Sequence, residues 1–205
     1  MFKDDLDKLL TLAESARTEP EWCGFADYLE THGRGLRKPA LKALNQFLDL
    51  ACNWAFSERQ RFSVWLLTSL HAGAIVAPLR ERLLVPTLRE WNERSPNEAG
   101  LHLWLGLLGC DEPMAHFQKA LEIDPGCEPA REKLAWWIKT DVDHNQHHLP
   151  AYYINDPSID LLDLAEAESL CAGYESSGWG KIVLDDIREQ RALAEAWLRD
   201  HPRAE

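Results

Sequence analysis

Hydrophobic residues recur along most of this chain with the three- and four-residue spacing of one face of an α-helix. Three such stripes lie in the first part of the chain: Leu6, Leu9, Leu10 and Ala13; Trp22, Phe25, Ala26 and Leu29; and Leu41, Leu44, Leu48, Ala51 and Ala55. No alternation of polar and apolar residues, which a half-buried strand requires, extends beyond about five residues. The pattern therefore predicts an all-α protein.

Helix boundaries are suggested by capping residues and prolines. Ser57 and Gln60 have the spacing of a capping box, and "SPNE" at 95–98 combines an N-cap, a proline at the first helical position and a glutamate two residues later. Pro78 and Pro86 divide the stretch "PLRERLLVPTLREWNER". Proline inside a helix breaks or kinks it, so this stretch is either two short helices or one kinked helix.

The segment "AHFQKALEIDPGCEPAREKLAWWI" (115–138) is typical of two helices joined by a sharp turn. Gly106 on the helix before it is followed by Phe117 and Ala120, and Pro125 stands where the second helix must stop. Small residues allow two helices to approach closely, while large ones fill the groove between them. After the turn, an apolar, small, apolar spacing returns at Leu134, Ala135 and Ile138.

Over residues 95–139 this pattern resembles the tetratricopeptide repeat, in which a Leu-Gly element is followed by alanine, an aromatic residue, alanine and proline. "FQKALEIDP" is similar to the second helix and exit of such a repeat, and "EPAREKLAWWI" to the next first helix. Two departures stand out. Gly106 and Ala135 are 29 residues apart, where the period is about 34, and His102 occupies a position where tryptophan is usual.

The resemblance implies antiparallel helix hairpins stacked as a superhelix, with degenerate repeats upstream and a C-terminal helical cap, because at least about three units are needed to bury a continuous core. The expected organisation is a hairpin array over 1–140, a connector rich in His, Pro and Tyr over 141–158, and a helical hairpin over 159–205 packed on the same domain. The alternative is a helical bundle that contains one repeat-like hairpin.

The resemblance also implies a partner-binding face, since the first helix of each repeat lines a concave groove. Its expected members are Leu103, Leu107, Glu132, Trp136 and Lys139. Trp136 and Trp137 are neighbours on a helix and point about 100° apart, so one can pack in the core while the other is presented outward. In the alternative interpretation both tryptophans pack between hairpins.

The stretch "TDVDHNQHHLPAYYINDPS" (140–158) offers metal-ligand chemistry. Asp143, His144, His147 and His148, together with Asp141, could supply imidazole and carboxylate ligands to a zinc-like ion. There is no HExxH motif, however, and the prolines indicate a loop, which holds ligands poorly. The other interpretation is a polar connector whose tyrosines, Tyr152 and Tyr153, dock onto the helices.

No motif in the chain specifies a reaction. "GYESSGWGK" (173–181) has neither the spacing of a phosphate-binding loop nor that of a nucleophile elbow. Gly178 and Gly180 instead predict a tight turn in which the Trp179 ring is an anchor. The adjacent acids Asp185 and Asp186 are interpreted as helix-start residues.

Composition and charge narrow the class of protein. Hydrophobic residues make up 45% of the chain and nine residues are Trp, which excludes overall disorder. The net charge of −12 divides into −3 for residues 1–140 and −9 for 141–205. The acidic region suits a basic partner or, in the alternative, serves solubility alone. Nucleic-acid binding is not predicted, because such proteins carry a concentrated basic surface. No apolar run approaches the roughly 20 residues of a membrane span. Five cysteines without CxxC spacing, and an acidic N-terminus unlike a signal peptide, predict free thiols in the cytoplasm.

These observations together predict a non-catalytic protein–protein interaction module that binds a protein or peptide in a concave helical groove and uses no cofactor. The sequence does not separate a chaperone, an assembly adaptor and a toxin-neutralising partner, although small size and acidity suit the last two, especially against a basic target. Two other classes remain open: a metal-dependent enzyme or metal-binding protein centred on 141–148, and a subunit of a structural homo-oligomer.

Overall fold

The computed structural model describes residues 3–201, with side chains from residue 7 onward. This part of the chain is all-helical, with ten helices and no strand, which confirms the predicted class. The helices are α1 (Lys3–Arg17), α2 (Cys23–Gly33), α3 (Arg37–Ala51), α4 (Phe56–Ser69), α5 (Ala77–Leu79, Arg80–Leu84 and Val85–Arg94 in succession), α6 (Ala99–Leu107), α7 (Pro113–Ile123), α8 (Glu128–Gln146), α9 (Pro157–Leu170) and α10 (Gly178–Asp200).

The chain divides into two compact units, Met1–Asn97 and Glu98–Glu205. The division falls between α5 and α6, and the segment that resembles a repeat belongs almost entirely to the second unit. The expected boundary at residue 140 lies inside α8, so no unit ends there.

The first unit is built around aromatic side chains. The Phe25 ring on α2 lies 5.2 Å from that of Phe62 on α4 and 5.4 Å from that of Phe47 on α3, measured between centroids. The Trp22 ring meets Phe62 edge-on at 5.3 Å. Such pairs favour edge-to-face and offset arrangements at these separations. Trp22 and Phe25, which the sequence placed on one helix stripe, therefore share a core with Phe47 and Phe62.

Helix α5 contains both prolines of the divided stretch and stays continuous through a π-helical turn, Arg80–Leu84. Pro78 lies in the first turn, where no intrahelical N–H bond is lost. Pro86 has no N–H to give to the carbonyl of Arg82, and the Cys52 thiol donates to that carbonyl at 3.3 Å. The wider turn and this donor explain why the helix is not divided in two.

Both predicted capping signals are wrong. Helix α4 begins at Phe56, with Ala55 as N-cap, so Ser57 already lies inside the first turn. Helix α6 begins at Ala99, four residues after Ser95. Ser95 instead ends α5, where its N–H donates to the Trp91 carbonyl at 2.8 Å.

In the second unit, α6 and α7 form a hairpin, α7 packs on α8, and α8, α9 and α10 pack on one another. Three side-chain contacts in the same order along both helices show that α8 and α10 run parallel. Trp179 Nε1 donates to Glu128 Oε1 at 3.0 Å, Lys139 pairs with Asp186, and Gln146 Nε2 donates to the carbonyl of Gln190 at 2.9 Å. One hydrophobic core joins α7 to α10; its members include Phe117, Ala120, Leu134, Ala135, Ile138, Leu164, Ala167, Val183 and Ile187.

The connector is shorter than the sequence predicted, because α8 continues to Gln146 and only residues 147–156 lie between the helices. A buried network of hydrogen bonds stabilises this last part of α8. Asn145 Nδ2 and the Tyr153 hydroxyl both donate to the carboxylate of Asp160, at 3.0 and 2.7 Å. Asp160 is fully buried, and burial raises its pKa. Tyr153 is therefore docked as expected, whereas Tyr152 is 50% exposed.

Candidate functional site

Helices α6 and α7 approach each other closely where Gly106 meets Phe117. A Cβ atom at Gly106 would lie 2.6 Å from Cε1 of Phe117, which is well inside van der Waals contact. Only glycine permits this approach, and the Phe117 ring fills the space that a side chain would need. On α6, Leu103 and Leu107 are half-buried and pack against the core of the second unit.

The two adjacent tryptophans of α8 differ in environment. Trp136 is half-buried and packs against the core, while Trp137 is 47% exposed. The alternative in which both rings pack between hairpins is therefore wrong for Trp137. Trp136 keeps a partly open ring surface and borders the same core as Leu103 and Leu107 do.

Lys139 is held between two helices and is not an open rim charge. Its Nζ lies 2.7 Å from Asp186 Oδ2 on α10 and 4.9 Å from the centroid of the Trp136 ring. The side chain is only 15% exposed, so its charge is largely compensated before any partner arrives. Its place above the ring adds a cation–π attraction that fixes the orientation of Trp136.

Glu132 is the other charged residue of the predicted face. It is half-buried, one helical turn before Trp136 on α8. No residue that the structure describes forms an ion pair with it. A partly desolvated, unpaired carboxylate favours an incoming cation.

Sequence reasoning missed one apolar residue of this region. Ile182 on α10 is 51% exposed and lies one turn before Asp186, on the same side of the helix. The sequence placed Asp185 and Asp186 at a helix start, but α10 begins at Gly178, two turns earlier. Asp186 pairs with Lys139, and Asp185 pairs with Arg188 at 2.6 Å. From the parallel packing of α8 and α10 we infer that Ile182 lies near the predicted face.

The candidate metal ligands do not converge. Between residues 7 and 201, where side chains are described, no group of three His, Cys, Asp or Glu side chains is arranged to hold a metal ion. Asp143 and His144 lie on the exposed side of α8, and the His147 Nδ1–H donates to the carbonyl of His144 at 2.5 Å. The rings of His147 and His148 lie against each other, with 3.8 Å between centroids.

Gly178 and Gly180 lie in the first turn of α10 and not in the tight turn that the sequence predicted, which falls instead on the residues before Ser177. Ser177 caps the helix: its Oγ accepts from the N–H of Gly180 at 3.0 Å and donates to the Tyr174 carbonyl at 2.7 Å. The Trp179 ring packs on that of Tyr174 at 5.2 Å. The Ser177 hydroxyl is thus engaged in holding the turn.

One departure from the repeat pattern creates a pair between the buried His102 and the half-buried His116. His102 is 6% exposed, and its Nδ1 lies 3.0 Å from Nδ1 of His116 on α7. One ring must donate and the other accept, so the hydrogen bond needs at least one neutral ring. Burial, and then the neighbouring His102, lower the pKa of His116, against the opposing effect of Asp111 and Glu112.

No helix in the described part of the chain is both long and apolar enough to cross a membrane. The chain was compared with protein-family models, with curated proteins and with solved structures, and none of the three comparisons found a match. The assignment of function therefore depends on the geometry of the second unit.

Proposed function

We propose that the protein is a non-catalytic interaction module whose second unit binds a segment of another protein on the face formed by Leu103, Leu107, Glu132, Trp136 and Ile182. Affinity comes from the apolar and aromatic groups, and Glu132 favours a basic segment. Lys139 and Asp186 position Trp136 and are not themselves the main contacts. The proposed setting is the cytoplasm, an expectation based on the cysteine pattern.

The observation that carries this proposal is the parallel arrangement of α8 and α10, tied at Glu128–Trp179 and at Lys139–Asp186. In stacked helical hairpins, equivalent helices run parallel and line one surface. Here such a surface would hold Trp136 from α8 and Ile182 from α10. Protein-binding hot spots typically combine aromatic and aliphatic side chains with a surrounding rim of polar and charged residues.

Photocrosslinking in the native host tests this directly. A photoreactive phenylalanine analogue at Ile182 reports on the proposed face, and the same analogue at Trp137 is the matched control on a residue of similar exposure. We expect a discrete crosslinked protein from position 182 and none from position 137. The crosslink should disappear when Trp136→Ala or Glu132→Lys is added.

Two results would contradict the proposal. Equal crosslinking from both positions would mean that the face is not selective. A crosslinked product of twice the chain's own mass would instead assign the face to a homo-oligomer.

A further inference from the structure

The first unit contains a cleft of about 1000 Å³ between α1, α2 and the segment 69–79. Its apolar lining includes Leu12, Phe25, Leu29 and Leu79, which are buried, and Leu9, Leu70, Ile75 and Val76, which are half-exposed. Small-molecule sites occupy about 300–1,000 Å³ and are mostly apolar with a few polar groups. The cleft has the size and the lining of such a site.

Tyr28 is a polar residue of this lining whose ring stacks on that of His32, with 5.6 Å between centroids. It is only 5% exposed, yet no described residue forms a hydrogen bond with its hydroxyl. The hydroxyl oxygen keeps some exposure to the cleft, where it can donate a hydrogen bond to a ligand. Burial also raises the pKa of Tyr28, so at neutral pH the phenol keeps its proton and is available as a donor.

His71 and Lys8 supply two further donors to the cleft. His71 Nδ1 accepts from the N–H of Gly73 at 3.1 Å, so in the neutral ring the proton is on Nε2. Lys8 adds an ammonium group, and Asp7 is the acid of the described lining. Donors next to an apolar wall suit a ligand that brings an acceptor head group on an apolar body.

We propose that this cleft binds a small amphipathic molecule with an apolar chain and one acceptor head group of the carboxylate class, with the Tyr28 hydroxyl as its donor. A docked helix is a poorer occupant, because the carbonyls along its side are already used in its own hydrogen bonds. A single head group, by contrast, satisfies Tyr28 without leaving other polar groups unpaired.

Calorimetric titration of the full-length protein with three ligands of equal chain length tests the head group: decanoate, 1-decanol and decylamine. We expect saturable one-to-one binding of decanoate, with weaker binding of the alcohol and the weakest binding of the amine. Decylamine binding as tightly as decanoate, or no saturable binding of decanoate, would overturn the proposal.

Two variants test the location. Tyr28→Phe keeps the ring and removes only the hydroxyl, so decanoate binding should weaken roughly tenfold. Ile75→Trp, at a half-exposed wall position, should fill the cleft and abolish binding while the unfolding transition is retained. Tyr152→Phe, at an exposed residue of the second unit, is the matched control and should bind as the unaltered protein does. Unchanged binding by both cleft variants would overturn the assignment.

Discussion

The Phe117 ring of α7 occupies the space that a side chain at residue 106 of α6 would need. A Cβ at Gly106 would lie 2.6, 2.8 and 2.9 Å from three atoms of that ring, and Phe117 is only 3% exposed. The ring cannot move aside without disturbing the core that joins α7 to α8, α9 and α10. This glycine–phenylalanine contact therefore determines the geometry of the first hairpin in the second unit.

Gly106→Ala should destabilise the protein. Overpacking a core typically costs about 1–3 kcal/mol, while the gain in helix propensity is at most about 1 kcal/mol, so we expect a net loss of about 1–2 kcal/mol. Urea unfolding followed by circular dichroism measures it. The control is Gly100→Ala in the same helix, where a new Cβ meets no atom within 4 Å; this variant should be neutral or slightly more stable.

Gly180→Ala should be more damaging, because the obstacle is backbone. A Cβ at Gly180 would lie 2.1 Å from the carbonyl oxygen of Tyr174, which itself accepts the Ser177 hydroxyl. The turn must open and the N-cap of α10 is lost, so we expect a loss of about 2–4 kcal/mol in the free energy of unfolding. Gly178→Ala, two residues away with no atom within 4 Å, is the control, and equal losses in the two variants would contradict this account.

The His102–His116 pair predicts a pH dependence of stability. The pKa of His116 is lowered in the folded protein, so the unfolded chain binds a proton first as pH falls below about 6.5. The contribution of this group is fully present above that pH and is lost as pH falls through the folded pKa. His116→Gln should flatten this part of the profile of unfolding free energy against pH, measured by urea unfolding at several values between about 5 and 8.

A steeper profile in the His116→Gln variant would contradict the assignment. Gly100→Ala is a suitable control, because it changes no titratable group and its new Cβ meets no atom within 4 Å; this variant should keep the pH dependence of the unaltered protein.

Local spacing predicted the helical class and the contact between Gly106 and Phe117, since both depend on residues close together in sequence. Local spacing gave wrong predictions where contacts between residues far apart in the chain determine the structure. The run "TDVDHNQ" has weak helix formers, yet α8 continues through it because Asn145 meets the buried carboxylate of Asp160. The exposure of Ile182 follows from the packing of α10 on α8, which no sequence pattern encodes.

The capping motifs gave wrong helix starts because the same residue types also occur at other positions of a helix. Ser95 has the residue type and spacing of an N-cap, but its backbone ends α5 instead. The cleft around Tyr28 was also invisible in the sequence, because its lining comes from α1, α2 and the segment after α4. Residues far apart in the chain form it, and each of them looks like an ordinary member of a helix stripe.

The most direct test of the binding face is the affinity of the crosslinked partner for two variants that differ by one position, Trp136→Ala and Trp137→Ala. The account predicts that Trp136→Ala weakens binding by about thirtyfold or more, as loss of a hot-spot tryptophan of about 2 kcal/mol does, while Trp137→Ala binds as the unaltered protein does. Both variants must first show the unfolding transition of a folded protein. Equal affinities, or a loss confined to Trp137→Ala, would contradict the account.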